Sequence, residues 1–266
     1  MTSEPRFKQA AQRLFEAHQR REPFTPLPAE LAPRTAEAAY AIQDAFVALR
    51  ARERGAIAGY KIALSSAAMR RFVGVENPQA GILLESAFLR SPAEVRAADY
   101  QRLLLEFEIA VQMAEDLPAA DAPFSRERVA QAVGALMPAL ELADDRHADY
   151  AQLAKHPFEL IADNTWNEGV VLGYPVNEWH ALDLAAARGC ATINGRPVGE
   201  GVGGDAMGHP LDSVAWIANH LAAHRRGLLR SDIVITGSLI TSKHARAGDL
   251  VRFSVEGLGE VELRVD

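Results

Sequence analysis

The chain has 266 residues, 48% hydrophobic and 24% charged, enough to bury a full core as one large unit with at most a small appendage. A net charge of -7, with no basic cluster beyond Arg20-Arg21 and Arg225-Arg226, argues against nucleic-acid binding. The sole cysteine, Cys190, excludes an intrachain disulfide and a cysteine-based zinc cage; no apolar run approaches a membrane span, and Met1 to Arg6 lacks a signal-peptide core, so a cytoplasmic protein is expected.

Residues 5–22 carry Phe7, Ala11, Leu14, Phe15 and His18 at helical spacing, and a connector holding Pro23, Pro26, Pro28 and Pro33 follows. Thr35 is a candidate N-cap, with Glu37 in the first turn, for a second helix that stops at Gly55. Residues 1–55 therefore read as a helical region and residues 56–266 as a strand-rich one. The first strand covers residues 57–64 and places Lys61 in an apolar run, where lysine is rare and burial would lower its pKa for proton transfer. A turn reads Pro78-Gln79-Ala80-Gly81.

In residues 103–113, Leu105, Phe107, Ile109, Val111 and Met113 alternate with Leu104, Glu106, Glu108, Ala110 and Gln112. This is the pattern of a strand, and it puts Glu106 and Glu108 on one face. Two carboxylates side by side in an apolar run repel each other and resist desolvation. A divalent oxygen-seeking cation, Mg²⁺ or Mn²⁺, relieves both costs; a solvent-facing pair on an edge strand is the competing reading. A helix is predicted over about residues 125–136 and a strand over 136–143, where Glu141 lies between the small Ala139 and Ala143. Glu106, Glu108 and Glu141 would form a three-carboxylate site, with Asp144 and Arg146 as a pair orienting Glu141. Asp145 reads as a surface turn residue.

Strands follow at 168–173, 191–194 and 233–239, and a closing hairpin turns at Gly257-Leu258-Gly259. The run from Gly199 to Gly204 matches G-x-G-x-x-G without a Rossmann context and reads as a loop. A helix starts near Pro210, with His209 as a structural residue at its start and Leu211, Val214, Ala215, Ile217, Ala218 and Leu221 on one face. His220 and His224 read as a polar face of that helix. No Ser-x-x-Lys or Gly-x-Ser-x-Gly nucleophile occurs. Strands with scattered helices argue for an α+β or mostly β core.

Ten or so segments, in order along nearly the whole chain, resemble the 2-keto-4-pentenoate hydratase family of the fumarylacetoacetate hydrolase superfamily. They include Gly59-Tyr60-Lys61-Ile62-Ala63-Leu64-Ser65-Ser66, Glu106-Phe107-Glu108-Ile109-Ala110, Pro138-Ala139-Leu140-Glu141, Ala162-Asp163-Asn164, Gly208-His209-Pro210-Leu211 and Thr236-Gly237-Ser238-Leu239. The resemblance implies an α+β fold, a helical N-terminal region followed by a mixed β-roll. It implies a divalent metal on Glu106, Glu108 and Glu141. It also implies substrate contacts at Leu64, Ser65, Ser66, Gln79, Asp163 and Ser238. The implied chemistry is hydration of a short 2-hydroxy-2,4-dienoate from aromatic breakdown. Decarboxylation of a 2-oxo-3-enedioate is the alternative, hydrolytic C–C cleavage a third, and a non-catalytic partner subunit the reading from another class. Homo-oligomers are implied, and association with a pathway enzyme is considered. The chain departs from the family in carrying Gln79 where hydratases have an aspartate, since an amide cannot act as a base. It also has Leu103-Leu104 in place of a Pro-Arg pair. Lys243 is the candidate to bind a distal carboxylate or to move protons in place of the missing acid.

Overall fold

A computed structural model describes residues 3–266, so the reading of Met1 to Arg6 lies partly outside the described residues. Helix α1 (Ser3–Gln19) and helix α2 (Ala36–Arg54) come first. Thr35 caps α2 by accepting from the Ala38 N–H at 3.2 Å, and Gly55 ends it at φ 85°, a conformation that suits glycine. Strand β1 (Ile57–Ala63), helix α3 (Ala67–Val73), and strands β2 (Gln79–Leu84), β3 (Phe88–Arg90), β4 (Ala93–Val95) and β5 (Leu103–Met113) follow. Next come helix α4 (Arg126–Ala132), strand β6 (Val133–Asp144), helix α5 (Glu159–Ala162), and strands β7 (Asn167–Leu172), β8 (Arg188–Ile193) and β9 (Arg196–Val202). Helix α6 (Pro210–Ala223) and strands β10 (Ile233–Ile235), β11 (Lys243–His244), β12 (Leu250–Val255) and β13 (Gly259–Val265) complete the chain.

The strands form two mixed sheets. One runs β2-β1-β10-β5-β6-β7-β3, with β11 also pairing β5; the other runs β4-β13-β12-β8-β9. The fold is thus α+β, with helices first and mixed sheets after. Phe107, Ile109, Leu140 and Leu142 from the first sheet pack with Val251, Phe253, Val261 and Leu263 from the second in the main core. Phe107 meets Phe253 edge-on at 5.5 Å between ring centroids. Among the described residues no helix is long and apolar enough to cross a membrane.

Several boundaries differ from the sequence reading. The fourth helix stops at Ala132, because Val133 and Gly134 already belong to the long strand β6 that pairs with β5. The Gln79 segment is not a turn but the start of β2, paired to β1. Residues 199–202 are strand rather than loop, since β9 pairs with β8. His209 does cap α6, its Nδ1 accepting from the Leu211 N–H at 3.1 Å. His220 is no polar face: it stacks on Trp216 and packs at a tilt against Tyr40, and burial lowers its pKa to about 4.

Phe46 and Ile42 of α2 pack with Leu14 of α1 and Ile161 of α5 in a separate apolar cluster. A charged network ties these helices to the sheet. Arg50 forks onto Glu168 at 2.9 and 2.6 Å, and His18 reaches Asp163 at 2.6 Å and Glu168 at 3.3 Å. Burial works to lower the His18 pKa, but the facing Asp163 and Glu168 carboxylates outweigh it and hold it above the ordinary value. A raised pKa in the folded state means that the folded protein binds this proton more tightly than the unfolded chain. The contribution is complete below the ordinary histidine range and lost as pH rises through the raised value. Amide exchange in α1 is therefore expected to accelerate over that rise more than the pH dependence of the chemistry alone, and His18→Phe is expected to remove the excess. An unchanged excess in the variant would refute this assignment.

Candidate metal and substrate site

Strand register assembles the site. In the antiparallel β5–β6 pair Glu106 lies opposite Glu141, and Glu108 opposite Ala139. Opposed residues share a face, and so do residues two apart, so all three carboxylates point the same way. Lys61 joins them across two strands: it is in register with Ile235 of β10, which is in register with Ala110 of β5. The other face of β5 carries Leu105, Phe107 and Ile109 into the main core.

One carboxylate oxygen from each glutamate lies within 4.8 Å of the others. Glu141 and Glu108 are fully buried, while Glu106 is half-buried and lines a pocket. Each buried glutamate is held by one oxygen and bare at the other. Glu141 Oε1 accepts from Lys61 Nζ at 2.8 Å and Asn167 Nδ2 at 2.8 Å, whereas Oε2 is buried without a partner. Glu108 Oε2 accepts from the Gly237 N–H at 2.6 Å, whereas Oε1 is buried without a partner. Gly237 has φ 101°, and a Cβ there would sit 2.5 Å from Ser65 Oγ, so glycine lets this turn deliver its amide to Glu108.

Two bare, buried, anionic oxygens beside a third carboxylate are costly unless a cation completes them. The all-oxygen donor set fits a hard divalent ion. Burial pushes the Glu108 carboxyl well above the usual range, helped by Glu141 and Glu106; Glu106 is raised for the same leading reason. Burial also works to lower the Lys61 pKa, as its place in an apolar strand suggests, but Glu141, Glu106 and Glu108 together outweigh it. With the carboxylates facing it bare, the net direction is upward, opposite to the expectation from burial alone.

The pocket, about 90 Å³, is lined by Lys61, Leu64, Gln79, Glu106, Thr165 and Trp166, with Leu104, Leu153, Leu160 and Tyr150 among its apolar walls. Gly81 makes room for it: a Cβ there would lie 2.6 Å from Lys61 Cγ and 2.8 Å from Thr165 Oγ1. Of the residues predicted to touch substrate, Leu64 and Gln79 line this pocket. The others are engaged elsewhere. Ser65 backs Gly237, and Ser66 caps α3 by accepting from the Met69 N–H at 3.2 Å. Ser238 Oγ accepts from the Phe107 N–H at 2.8 Å and donates to the Ile240 carbonyl at 2.7 Å, which fixes the backbone between Glu106 and Glu108. Asp163 is saturated by His18 and Arg146.

Two further expectations are corrected. Asp144 does not form a pair with the Arg146 side chain to orient Glu141; it accepts from the backbone amides of Gln101, Arg102 and Arg146. Asn167 does the orienting instead. Asp145 is buried, accepting from Arg102 at 2.6 Å and Tyr150 at 2.8 Å and lying 3.0 Å from His244 Nε2. Lys243 lies opposite Leu105, on the strand face that looks away from the carboxylates. Its neighbour His244, opposite Leu104, shares the carboxylate side. Sequence reasoning missed Asn167, Thr165 and Trp166 as site residues; Asn167 heads a strand, and a polar residue there gives no local signal.

A family model described as "Fumarylacetoacetate (FAA) hydrolase C-terminal" matches residues 55–266. The chain belongs to the fumarylacetoacetate hydrolase family. Within that family it is 30% identical to the 2-oxo-hept-4-ene-1,7-dioate hydratase of Escherichia coli, over 96% of each chain. It is 31% identical to the 2-keto-4-pentenoate hydratase of Paraburkholderia phymatum, over 98% of each. Among solved structures, 4-oxalocrotonate decarboxylase from Pseudomonas putida G7, complexed with magnesium and adipate, superimposes with a TM-score of 0.88. That pair shares 25% identity, and the match covers 98% of this chain and 97% of the other.

Proposed function

We propose that this protein is a divalent-metal-dependent lyase that hydrates a short 2-hydroxy-2,4-dienoate to a 4-hydroxy-2-oxo acid in aromatic catabolism. The observation that carries the reading is the pair of half-anchored buried glutamates, Glu108 and Glu141, clustered with Glu106 and Lys61, the two of the four that line the pocket. Glu106, Glu108 and Glu141 would hold Mg²⁺ or Mn²⁺. When bound, such an ion supplies Lewis acidity toward the carboxylate and 2-oxygen of a 2-oxo acid. Hydration needs a proton removed from the 2-hydroxyl and one delivered to C5, after which water oxygen adds at C4 and a proton at C3. Lys61, which lines the pocket and whose ammonium bonds Glu141, is the residue assigned to proton transfer. The apolar walls exclude bulk water from the diene.

The reading includes a cytoplasmic homo-oligomer, because each sheet ends in edge strands that assembly can cover, and a division between a helical region 1–55 and the metal-binding region 56–266. Decarboxylation of a 2-oxo-3-enedioate is the second reading, favoured by the TM-score of 0.88 to the decarboxylase.

An ultraviolet assay on 2-hydroxypenta-2,4-dienoate and 2-oxo-3-hexenedioate, with Mg²⁺ or Mn²⁺ and EDTA controls, separates the two. Loss of the dienoate with formation of 4-hydroxy-2-oxopentanoate, abolished by EDTA, is expected. Turnover of the enedioate alone with release of CO₂ moves the assignment to decarboxylase. Silence on both removes both readings.

A further inference from the structure

Three polar atoms of the pocket remain without partners. Gln79 Oε1, Thr165 Oγ1 and Trp166 Nε1 are all buried and unbonded, in residues no more than 7% exposed. All three residues line the same cavity as Lys61 and Glu106. Burying a polar atom without a partner forfeits its hydration with no return, so three around one cavity indicate something that completes them.

The backbone confirms that their placement is held against local preference. Asn164, Thr165 and Trp166 adopt φ of 50°, 49° and 63° in succession, a left-handed turn that is unfavourable for a β-branched threonine and for tryptophan. Tertiary contacts impose it. The Asn164 side chain bonds both the N–H and the carbonyl of Ile82, at 2.8 and 2.9 Å, and Asp163 is clamped by His18 and Arg146. Strain maintained in this way concentrates where a side chain must be aimed.

The donor inventory then narrows the ligand. The indole N–H can only donate, and the threonine hydroxyl can do either. Gln79 is fixed the other way round: its Nε2 donates to the Pro157 carbonyl at 2.9 Å, so Oε1 is left as an acceptor. A carboxylate offers no proton to Gln79 Oε1 and would be repelled by it. A hydroxyl or a water satisfies both Trp166 and Gln79. No arginine or histidine lines the cavity among the described residues, and Lys61, its one cationic residue, is paired with Glu141. On a scale of about 10–15 Å³ per water, the volume takes roughly six to nine heavy atoms.

We propose that Gln79, Thr165 and Trp166 determine specificity by binding an uncharged O–H group, the reacting water or the product hydroxyl, and thereby restrict the pocket to monocarboxylate 2-hydroxy-dienoates over dicarboxylates. This rests on the hydratase reading for its choice of substrates, and the test separates the two. With Mg²⁺, kcat/KM is measured on 2-hydroxypenta-2,4-dienoate and 2-hydroxyhepta-2,4-diene-1,7-dioate. In parallel, calorimetry measures binding of the unreactive 2-oxopentanoate and 2-oxoheptanedioate. The unaltered protein is expected to favour the monoacid by at least about 100-fold in both. Trp166→Phe and Thr165→Val are each expected to cost roughly tenfold on the monoacid alone, narrowing that ratio. Comparable use of the diacid by the unaltered protein overturns the proposal. So does an unchanged ratio in both variants when circular dichroism shows them folded. If neither diene turns over but 2-oxopentanoate binds preferentially, the hydratase reading falls and the specificity assignment stands. No preference in binding, including no binding of either acid, removes it.

Discussion

Glu108→Gln is expected to stabilise the metal-free protein by roughly 1–3 kcal/mol while abolishing its response to Mg²⁺. Glu108 is fully buried, one of its oxygens has no partner, and Glu106 and Glu141 crowd it. Glutamine keeps an oxygen for the Gly237 amide and turns an N–H₂ toward the neighbouring carboxylates, so that repulsion becomes hydrogen bonding. The pH dependence supplies a second readout. Because the folded-state pKa of Glu108 is raised, the folded protein holds the proton longer than the unfolded chain does. Stability of the metal-free protein should therefore fall as pH rises from the ordinary carboxylate range up to the raised value, and the variant should lose that slope. In the unaltered protein, Mg²⁺ at about 100 times its Kd should add roughly 2.7 kcal/mol, and in the variant almost nothing. Thermal melts across pH, with and without Mg²⁺, measure all of this. A variant destabilised without metal, or one still stabilised by Mg²⁺, would show that these carboxylates are not a cation site.

Lys61→Met is expected to move metal affinity and catalysis in opposite directions. Lys61 is 2% exposed, and its Nζ bonds the same Glu141 oxygen that Asn167 holds. Removing an ammonium that competes with the cation for the same carboxylates should tighten Mg²⁺ binding. Without metal it strands Glu141 and should destabilise the protein by about 3 kcal/mol. Loss of the proton-transfer group should lower kcat about 10²–10⁴-fold, with a smaller change in KM. Methionine fills most of the lysine stem beside Gly81, so the packing is retained. Looser metal binding, or an undiminished kcat at saturating Mg²⁺, would count against the role assigned to Lys61.

The glutamates show how far local pattern reaches. Alternation along residues 103–113 places Glu106 and Glu108 on one face before any partner strand is known, because strand periodicity is a property of the backbone alone. The caps of α2 and α6 and the final hairpin are legible for the same reason: each depends on residues within a turn or two. The helical start is legible in the same way, from helical spacing and the Thr35 and Gly55 boundaries, whereas the mixed β-roll came from matching segments in family order.

Nonlocal pairing decided what local pattern left open. That Glu141 stands opposite Glu106 depends on the β5–β6 register, and that Lys61 reaches it depends on β10 lying between β1 and β5. The same register turns Lys243 away from the site, a result that its sequence neighbours do not encode. Asp163 looked like a site residue because of its place in a motif. Its partner His18 is 145 residues away, and only the docking of α1 brings them together. Thr165 and Trp166 have no intrinsic preference for a left-handed turn; the bonds from Asn164 to Ile82 and from Asp163 to Arg146 impose it. Sequence determined which residues alternate, cap and turn, because those depend on neighbours along the chain. Tertiary structure alone decided which carboxylate, ammonium and unpaired polar atoms face one another, because those distances are set by contacts between segments far apart in sequence.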